Sequence, residues 1–255
     1  MKNSTGQPTR RVLEALPREP LHIARNTTKA DVYQLEWPPN SGQFAVLKDM
    51  RKRPAWFRLT AGRWFLWREF RALRALDGIE GVPRAIAKPD ADCVLMEWRA
   101  GTPVMDWEMG AVPIEALETI ATIVAHAHAR GVVHSDLHRS NVLLTKEGQV
   151  TLIDWATASV FPFRRGKIKD FTFEEWKTLD IRAVAKLKAR HAPQSVSAAE
   201  KDALLHGSKI YRTVRGAGFK LRKMLGHDRA KSPEFAAQRY QRLVERAPKA
   251  PEEKP

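Results

Sequence analysis

The sequence predicts an α+β protein in which a small strand-rich N-terminal lobe precedes a larger helical C-terminal lobe. Three runs with strand character, VYQLEW, QFAVLK and CVLMEW, lie before residue 98. From about residue 101 the apolar residues recur mostly with the period of an α-helix, interrupted by one hairpin pattern. Strands followed by helices, without regular alternation, are typical of the α+β class.

The composition divides the chain into four parts. Residues 1–20 are polar and contain proline, which predicts a flexible arm, and residues 247–255 predict a disordered tail. Between them, residues 21–98 form the predicted N-lobe and residues 99–246 the predicted C-lobe. The join near residues 97–101 is where we expect a cleft that binds a ligand.

The chain is strongly basic, with a net charge of +15 and a pI near 10.2. Such a surface favours nucleic acid, an acidic membrane surface or a phosphorylated substrate as partner, although a solvated arginine-rich surface gives the same numbers. Basic residues cluster at 51–53, 164–169 and 209–226. The last cluster contains apolar side chains, as in contacts with anionic lipid, but RNA binding explains the clusters equally well.

The sequence limits the redox chemistry and the location of the protein. A single cysteine, Cys93, excludes an internal disulfide framework and a cysteine-based zinc site. The N-terminus has no apolar segment of a secretory signal, and no apolar stretch reaches membrane-spanning length. We expect a cytoplasmic protein, with peripheral contact at the inner face of the membrane as an option.

Two charged residues of the N-lobe fall where apolar residues are expected. Alternation along QFAVLK places Lys48 on the same side as Phe44 and Val46, which reads as an inward series. The helix from about Trp64 to Leu76 carries Glu69 on its apolar face, whereas its arginines should point to solvent. A carboxylate facing a core needs a cation, so we expect Lys48 to pair with Glu69; the alternative is that both side chains reach the surface.

The stretch HSDLHRSNVLL follows a well-specified helix of the C-lobe. Pro113 marks the start of that helix and Gly131 its end, as a C-terminal cap. The residues His134 to Asn141 therefore lie on a loop between the helix and a hairpin formed by NVLL and VTLIDW. Such a loop is either an ordinary turn with a side-chain cap or a catalytic loop that holds a base and a metal ligand.

Two aspartates complete the set of candidates. Asp154 ends the strand VTLID, where it either caps the next turn or binds a metal ion. Asp180 lies on the inner face of a helix that a capping box at Thr172 and Glu175 predicts to begin there. As an acid on a helix, Asp180 can pair with a nearby base such as Arg182 or Lys186.

The order Lys48, Glu69, Asp136 with Asn141, and Asp154 resembles the protein-kinase-like fold over roughly residues 22–190. Each motif is weak alone, but the ordered set is specific. The resemblance implies a bilobal fold, with one helix in the strand-rich N-lobe that holds the nucleotide-binding lysine through its glutamate. It also implies an alternative role for Asp180, because an acid at a similar place in kinase-like folds braces the catalytic loop.

Departures from the kinase pattern point to atypical relatives. No G-x-G-x-x-G occurs, and residues 26–33, NTTKADVY, are instead similar to the T-G-K-E-A-x-V-Y phosphate loop of RIO-type atypical kinases. The chain has HSD in place of HRD and no A-P-E motif. The segment from Arg51 to Ile86 looks like the basic stretch and helix of the lipopolysaccharide core kinases (the Kdo/WaaP family), which phosphorylate a sugar of the inner core.

These resemblances imply an ATP-dependent phosphotransferase that uses Mg²⁺, with Mn²⁺ as the alternative ion. Asp136 would accept the proton of the acceptor hydroxyl, and His138 is a weaker candidate for neutralising the γ-phosphate. The implied metal ligands are Asn141 and Asp154. The implied nucleotide-binding residues are Thr27, Thr28, Lys29 and Lys48 in the N-lobe and Met96, Glu97 and Arg99 at the lobe join.

Three functions remain open from the sequence. The first is a kinase acting on an anionic glycolipid or sugar acceptor of the lipopolysaccharide core. The second is a Ser/Thr protein kinase of RIO type acting on a protein acceptor. The third is a basic pseudokinase that only binds, against which the complete set of site residues argues.

Overall fold

The structure, a computed structural model, describes residues 8–24, 28–162 and 166–207, except for the side chains of 167–169. Its helices and strands in chain order are α1 (Arg10–Glu14), β1 (Arg18–His22), β2 (Asp31–Glu36), β3 (Phe44–Asp49), α2 (Ala55–Phe57), α3 (Arg63–Ala75), β4 (Ala85–Asp90), β5 (Cys93–Glu97), β6 (Thr102–Pro103), α4 (Ile114–Ala129), β7 (Val132–Val133), β8 (Val142–Leu144), β9 (Val150–Leu152), β10 (Ser159–Val160), α5 (Lys167–His191) and α6 (Ala198–Leu205).

The chain forms two compact units. The first contains Met1–Ala100 and Thr151–Val160, and the second contains Gly101–Val150 and Phe161–Pro255. The predicted lobe boundary at residue 98 therefore lies close to Ala100, where the first segment of the first unit ends. Residues 151–160, predicted as part of the C-lobe, belong to the first unit instead, where the amide of Leu152 donates to the carbonyl of Gly81 (2.8 Å).

The core of the first unit is an antiparallel sheet with the strand order β1-β2-β3-β5-β4. Alternation along β2 and β3 fixes its register, in which Tyr33 lies opposite Leu47 and Leu47 opposite Leu95. These side chains and Leu13 of α1 fill one buried cluster. The packing of Leu13 explains why α1 covers this face of the sheet.

The prediction of a flexible arm over residues 1–20 is wrong from residue 10 onward. Residues 10–14 form α1, and residues 18–22 form β1. Arg10 fixes α1 to the sheet by bonding Asp49 (2.9 Å) and Asp90 (2.9 Å). The side chains of β1 are all exposed, so the strand is held by its backbone pairing with β2.

A single helical run covers residues 55–75 of the first unit. It consists of α2, a π-helical turn at Arg58–Gly62, and α3. The predicted helix from Trp64 to Leu76 thus starts within a longer run. Leu66, Glu69 and Leu73 are buried on one face of α3, as the apolar periodicity requires.

The second unit is mainly helical. α4 begins after Pro113 and is followed by Gly131, whose φ of +72° fits a helix-ending glycine. β6 pairs with β8. Lys188 of α5 bonds Glu118 of α4 (2.8 Å) and Glu200 of α6 (3.0 Å), which ties the three helices together.

Helix α5 starts earlier than the sequence predicted. It begins at Lys167, after Gly166, without a side-chain cap, so Thr172 and Glu175 lie inside the helix and do not cap its start. A capping box is present instead at the start of α6, between Ser197 and Glu200. None of the helices in the described part of the chain is long and apolar enough to cross a membrane.

Candidate active site

The predicted site residues form two groups, one in each unit. In the first unit, β3 alternates between a fully buried side, with Ala45 and Leu47, and a partly buried side, with Val46 and Lys48. Phe44 is 48% exposed. Lys48 is therefore on the predicted side of the strand, but that side is not the one that faces the main apolar cluster, and it contacts α3 instead.

Lys48 is bound by two carboxylates. Its Nζ lies 2.6 Å from Oε1 of Glu69 and 2.9 Å from Oδ1 of Asp154. The Glu69 side chain is only 1% exposed and the Lys48 side chain 15%. The structure therefore brings together three of the predicted residues, and the predicted pairing of Lys48 with Glu69 is confirmed.

The pKa of Lys48 depends on its burial and on the two carboxylates beside it. Burial alone would lower the pKa of Lys48, but the charges of Glu69 and Asp154 raise it above its ordinary value. Burial raises the pKa of Glu69, against the effect of the Lys48 charge. The lysine therefore stays protonated and can offer its charge to a phosphate.

Asp154 lies in a turn two residues after the end of β9. Its φ of +64° and ψ of +65° are left-handed, a conformation that aspartate adopts more readily than most residues. Its side chain is 49% exposed, whereas the next residue, Trp155, is fully buried and donates to the carbonyl of Leu152 (3.0 Å). The buried tryptophan anchors the turn that exposes the carboxylate.

Arg68 forms hydrogen bonds with the segment that follows Asp154. The prediction that Arg68 points to solvent is therefore wrong. Its guanidinium donates to the carbonyls of Thr157 and Ala158 (3.0 Å for Ala158) and to the hydroxyl of Ser159 (3.2 Å). These bonds make Arg68 a partly buried link between α3 and the segment. Sequence reasoning missed this role, because backbone carbonyls accept from any donor and leave no sequence signal.

The second unit contains the predicted catalytic loop. His134 is buried, while the carboxylate of Asp136 is 59% exposed. Asn141 is buried, and its Nδ2 donates to the carbonyl of Asp136 (3.0 Å). That bond fixes the loop between the two residues and uses the nitrogen of the amide, so the amide oxygen is the atom suited to a cation.

His138 lies beside both of these residues. Its Nε2 is 3.7 Å from Oδ2 of Asp136 and 3.2 Å from Nδ2 of Asn141. Its Nδ1 accepts from the amide of Ser140 (3.2 Å). The structure thus places all three predicted residues of this loop together, with His138 also capping the short turn Arg139–Asn141.

Asp180 of α5 holds the start of the loop that carries Asp136. Its two carboxylate oxygens accept from the backbone amides of His134 (2.8 Å) and Ser135 (2.9 Å). It also lies 3.0 Å from Nε2 of His128, and it is 1% exposed. The bracing role is therefore the one observed, and His128 is a further support that the sequence did not reveal.

The residues predicted to bind the adenine and the phosphates are placed only in part. Met96 is buried at the end of β5, and Glu97 pairs with Arg99 (3.0 Å). Thr28 and Lys29 are exposed, whereas Thr27 lies outside the described residues. The roles of these residues in nucleotide binding stay predictions.

The donor chemistry fits a magnesium ion. In the first unit Asp154 offers a carboxylate, and in the second unit Asn141 offers an amide oxygen. Each is a type of ligand that Mg²⁺ accepts together with phosphate oxygens and water. The described residues contain no group of three or more His, Cys, Asp or Glu that could hold a metal ion on its own.

Some residues of the predicted basic clusters form ion pairs within the protein. Arg53 bonds the buried Asp31 (2.8 Å), and Arg51 pairs with Glu14, so two of the three residues at 51–53 already have acidic partners. Arg164 and Arg165 and the cluster at 209–226 lie outside the described residues. The side chains of Lys167 and Lys169 are likewise not described.

Comparisons with known proteins agree on the fold. A model of the RIO domain matches residues 47–162. The solved structure of a Rio2 kinase–ADP/Mg²⁺–phosphoaspartate complex from Chaetomium thermophilum matches with a TM-score of 0.50 and 16% identity, over 87% of this chain and 70% of that one. The chain therefore has the predicted protein-kinase-like fold, with a sheet-containing first unit and a helical second unit.

A curated relative matches a short segment. The serine/threonine-protein kinase PknD of Protochlamydia amoebophila (strain UWE25) is 45% identical over 40 residues, which are 16% of this chain and 4% of that protein. The chain thus spans only a small part of that relative's length. All three matches are to kinases, which supports the predicted enzyme class. They favour the RIO-type alternative over the lipopolysaccharide core kinases.

Proposed function

We propose that the protein is an ATP-dependent kinase of the atypical RIO type that phosphorylates Ser or Thr hydroxyls of a protein. The observation that carries the proposal is the trio in which Lys48 contacts both Glu69 (2.6 Å) and Asp154 (2.9 Å). A buried glutamate that holds a lysine beside a strand-end aspartate suits the binding of nucleotide phosphates.

In this mechanism Lys48 binds the α- and β-phosphates, and Glu69 keeps its ammonium in place. Asp154 and Asn141 would hold Mg²⁺, which neutralises phosphate charge when it is bound. Asp136 orients the acceptor hydroxyl and takes its proton as the oxygen attacks the γ-phosphorus. The bond from that phosphorus to the bridging oxygen breaks, and ADP leaves.

The brace at Asp180 supports Asp136 in this role. Phosphoryl transfer depends mostly on positioning and on charge neutralisation. The backbone N–H groups of His134 and Ser135 donate hydrogen bonds to Asp180, and these bonds fix the backbone just before Asp136. His138 is 3.7 Å from that carboxylate, and it is suited to assist at the γ-phosphate.

The test follows radiolabel from ATP in the presence of Mg²⁺. Purified protein is given a protein extract and, separately, a cell-envelope glycolipid extract. Asp136→Asn should lower transfer by about 10²–10⁴-fold, as expected for loss of a general base. Asp106→Asn removes another exposed acid of the same unit and serves as the matched control. Equal transfer by wild type and Asp136→Asn would contradict the mechanism.

The acceptor is decided by where the label appears. Label in protein supports the proposal, whereas Asp136-dependent label only in glycolipid supports a lipopolysaccharide sugar as acceptor. The phosphoaspartate in the matched Rio2 complex suggests a third destination. Hydroxylamine cleaves acyl phosphates and spares phosphoesters, so treatment of the labelled protein identifies phosphate on a carboxylate.

A further inference from the structure

The helical run at residues 55–75 exposes large apolar side chains. Trp56 is 67% exposed, Leu59 54%, Trp64 51% and Trp67 45%. Single exposed apolar residues are ordinary on a protein surface, whereas four within twelve residues of one helical run are a candidate contact site. We call these four residues, with Arg71 and Arg74, the tryptophan surface.

Four residues of the tryptophan surface lie on one side of α3, and Trp56 and Leu59 precede them in α2 and the π-helical turn. Trp64, Trp67, Arg71 and Arg74 follow the spacing i, i+3, i+7 and i+10, which places them on a single helix face. All four are exposed. The opposite face carries Leu66, Glu69 and Leu73, all buried, so the helix can serve an external partner without changing its contacts with the sheet.

The run is strongly basic. Residues 51–75 contain eight Arg or Lys and one acid, Glu69, which is buried. Several of these bases already bind protein groups, for example Arg58 and Arg63 with Asp92 (3.2 and 2.7 Å). Arg71 and Arg74 have no acidic partner among the residues that the structure describes, so they can meet an external anion.

Two of the indole rings already carry a cation on one face. The guanidinium of Arg68 lies 4.3 Å from the ring centroid of Trp64, and that of Arg71 lies 5.2 Å from that of Trp67. Each contact favours the outward position of its ring. They also remove one face of each ring from base stacking.

We propose that the tryptophan surface docks the protein onto an anionic lipid bilayer. Tryptophan prefers the boundary between lipid headgroups and acyl chains, and arginine binds the phosphates beside it. Single-stranded RNA is less suitable, because Arg68 and Arg71 already occupy one face of two of the three indole rings, which leaves fewer faces for base stacking. Leu59 has no ring on which a base could stack, whereas an apolar layer can take up its side chain. The proposal does not depend on the phosphate acceptor.

The experiment measures co-sedimentation of the full chain with vesicles. Vesicles of phosphatidylcholine alone are compared with vesicles that also contain phosphatidylglycerol. The test variant combines Trp56→Ala, Trp64→Ala and Trp67→Ala. The matched control combines Met109→Ala, Phe171→Ala and Leu205→Ala, which remove similarly exposed side chains (64%, 54% and 47%) from the second unit.

The wild type should bind the anionic vesicles and bind phosphatidylcholine alone only weakly. The tryptophan variant should lose at least about tenfold in partition coefficient, equivalent to about 1.4 kcal/mol, while the control stays within about twofold of wild type. Basic residues elsewhere in the chain are the same in both variants, so their contribution cancels. Equal loss in both variants, or no binding by wild type, would overturn the proposal.

Two further measurements guard against misfolding and against RNA binding. Brominated acyl chains should quench the tryptophan fluorescence of the unmodified wild type, which tests insertion without any substitution. Absence of quenching would reject the proposal even if the tryptophan variant failed to fold. Loss of binding to an RNA oligonucleotide by the tryptophan variant, with unchanged vesicle binding, would assign the surface to RNA instead.

Discussion

Replacement of Asp180 by asparagine should loosen the catalytic loop at a measurable cost in stability. The carboxylate accepts from the amides of His134 and Ser135 at 2.8 and 2.9 Å, and it is 1% exposed. Asparagine keeps one acceptor but turns the other into a donor that faces an N–H group. The substitution preserves the shape of the side chain, so packing changes little.

The magnitude follows from these contacts. Loss of one hydrogen bond to a charged acceptor costs about 1.5–3 kcal/mol, and an amide left unsatisfied adds about 1–3 kcal/mol. With some relaxation we expect the free energy of unfolding to fall by about 3 kcal/mol. For an ordered region of this size, each kcal/mol lowers Tm by about 2–4 °C, which gives about 6–12 °C.

Thermal unfolding followed by circular dichroism measures this change. Asp202→Asn is the matched control, since Asp202 is 71% exposed and bonds only His206 among the described side chains; its Tm should stay within about 1–2 °C of wild type. Phosphate transfer by Asp180→Asn should fall mainly through kcat, because the loop holds Asp136. A Tm equal to that of wild type would refute the bracing role of Asp180.

Three other predictions concern the first unit. Cys93, which is 1% exposed and whose pKa is raised by burial to about 12, should not react with Ellman's reagent until the protein unfolds. Glu69→Gln should lower kcat/KM for phosphate transfer by at least about tenfold, whereas Glu115→Gln, an exposed control on α4, should leave it unchanged. Burial alone would raise the pKa of Asp90, but hydrogen bonds, first of all from Arg10, lower it to about 2. Its contribution to stability should therefore be complete above about pH 4, near the ordinary pKa of aspartate, and disappear as the pH falls toward 2. Comparison of Asp90→Asn with wild type in urea at several pH values should show this trend.

Each of these has a contrary outcome. Rapid stoichiometric labelling of the folded protein would show that the Cys93 site opens easily. Full activity of the Glu69 variant would mean that Asp154 alone positions Lys48. A stability difference at Asp90 that stays constant from pH 5 to 2 would remove Arg10 as its electrostatic partner; the difference itself should be at most about 1 kcal/mol, because the carboxylate is 37% exposed.

The sequence predicted the parts of the site whose side chains break a local pattern. Glu69 interrupts an apolar helix face and Lys48 sits in an alternating strand, and the cost of an unpaired buried charge connects them. Helix and hairpin signals on either side place Asp136 and Asn141 on a loop, and the resemblance to kinase loops supplied their proposed roles. Their positions follow from local rules, so one sequence was enough to propose them.

Other features depend on partners that have no side-chain signature. Arg68 bonds backbone carbonyls that lie about ninety residues away in the chain, and no residue type marks such acceptors. Strand β1 has neither alternation nor burial, and it contains Pro20, so only its pairing with β2 reveals it. The early start of α5 shows a limit of capping signals, because the pattern at Thr172 and Glu175 also occurs inside a helix.

Because residues 151–160 belong to the first unit, that unit cannot complete its folding early during synthesis. A chain emerging from the ribosome has all five strands of the sheet by residue 97, yet it still lacks Asp154 and the carbonyls that Arg68 binds. About fifty residues of the second unit must be synthesised before these partners appear. Nascent domains generally fold in order of synthesis, but here completion of the first unit has to wait. A fragment that ends at Ala100 would leave Lys48 with only one of its two carboxylates.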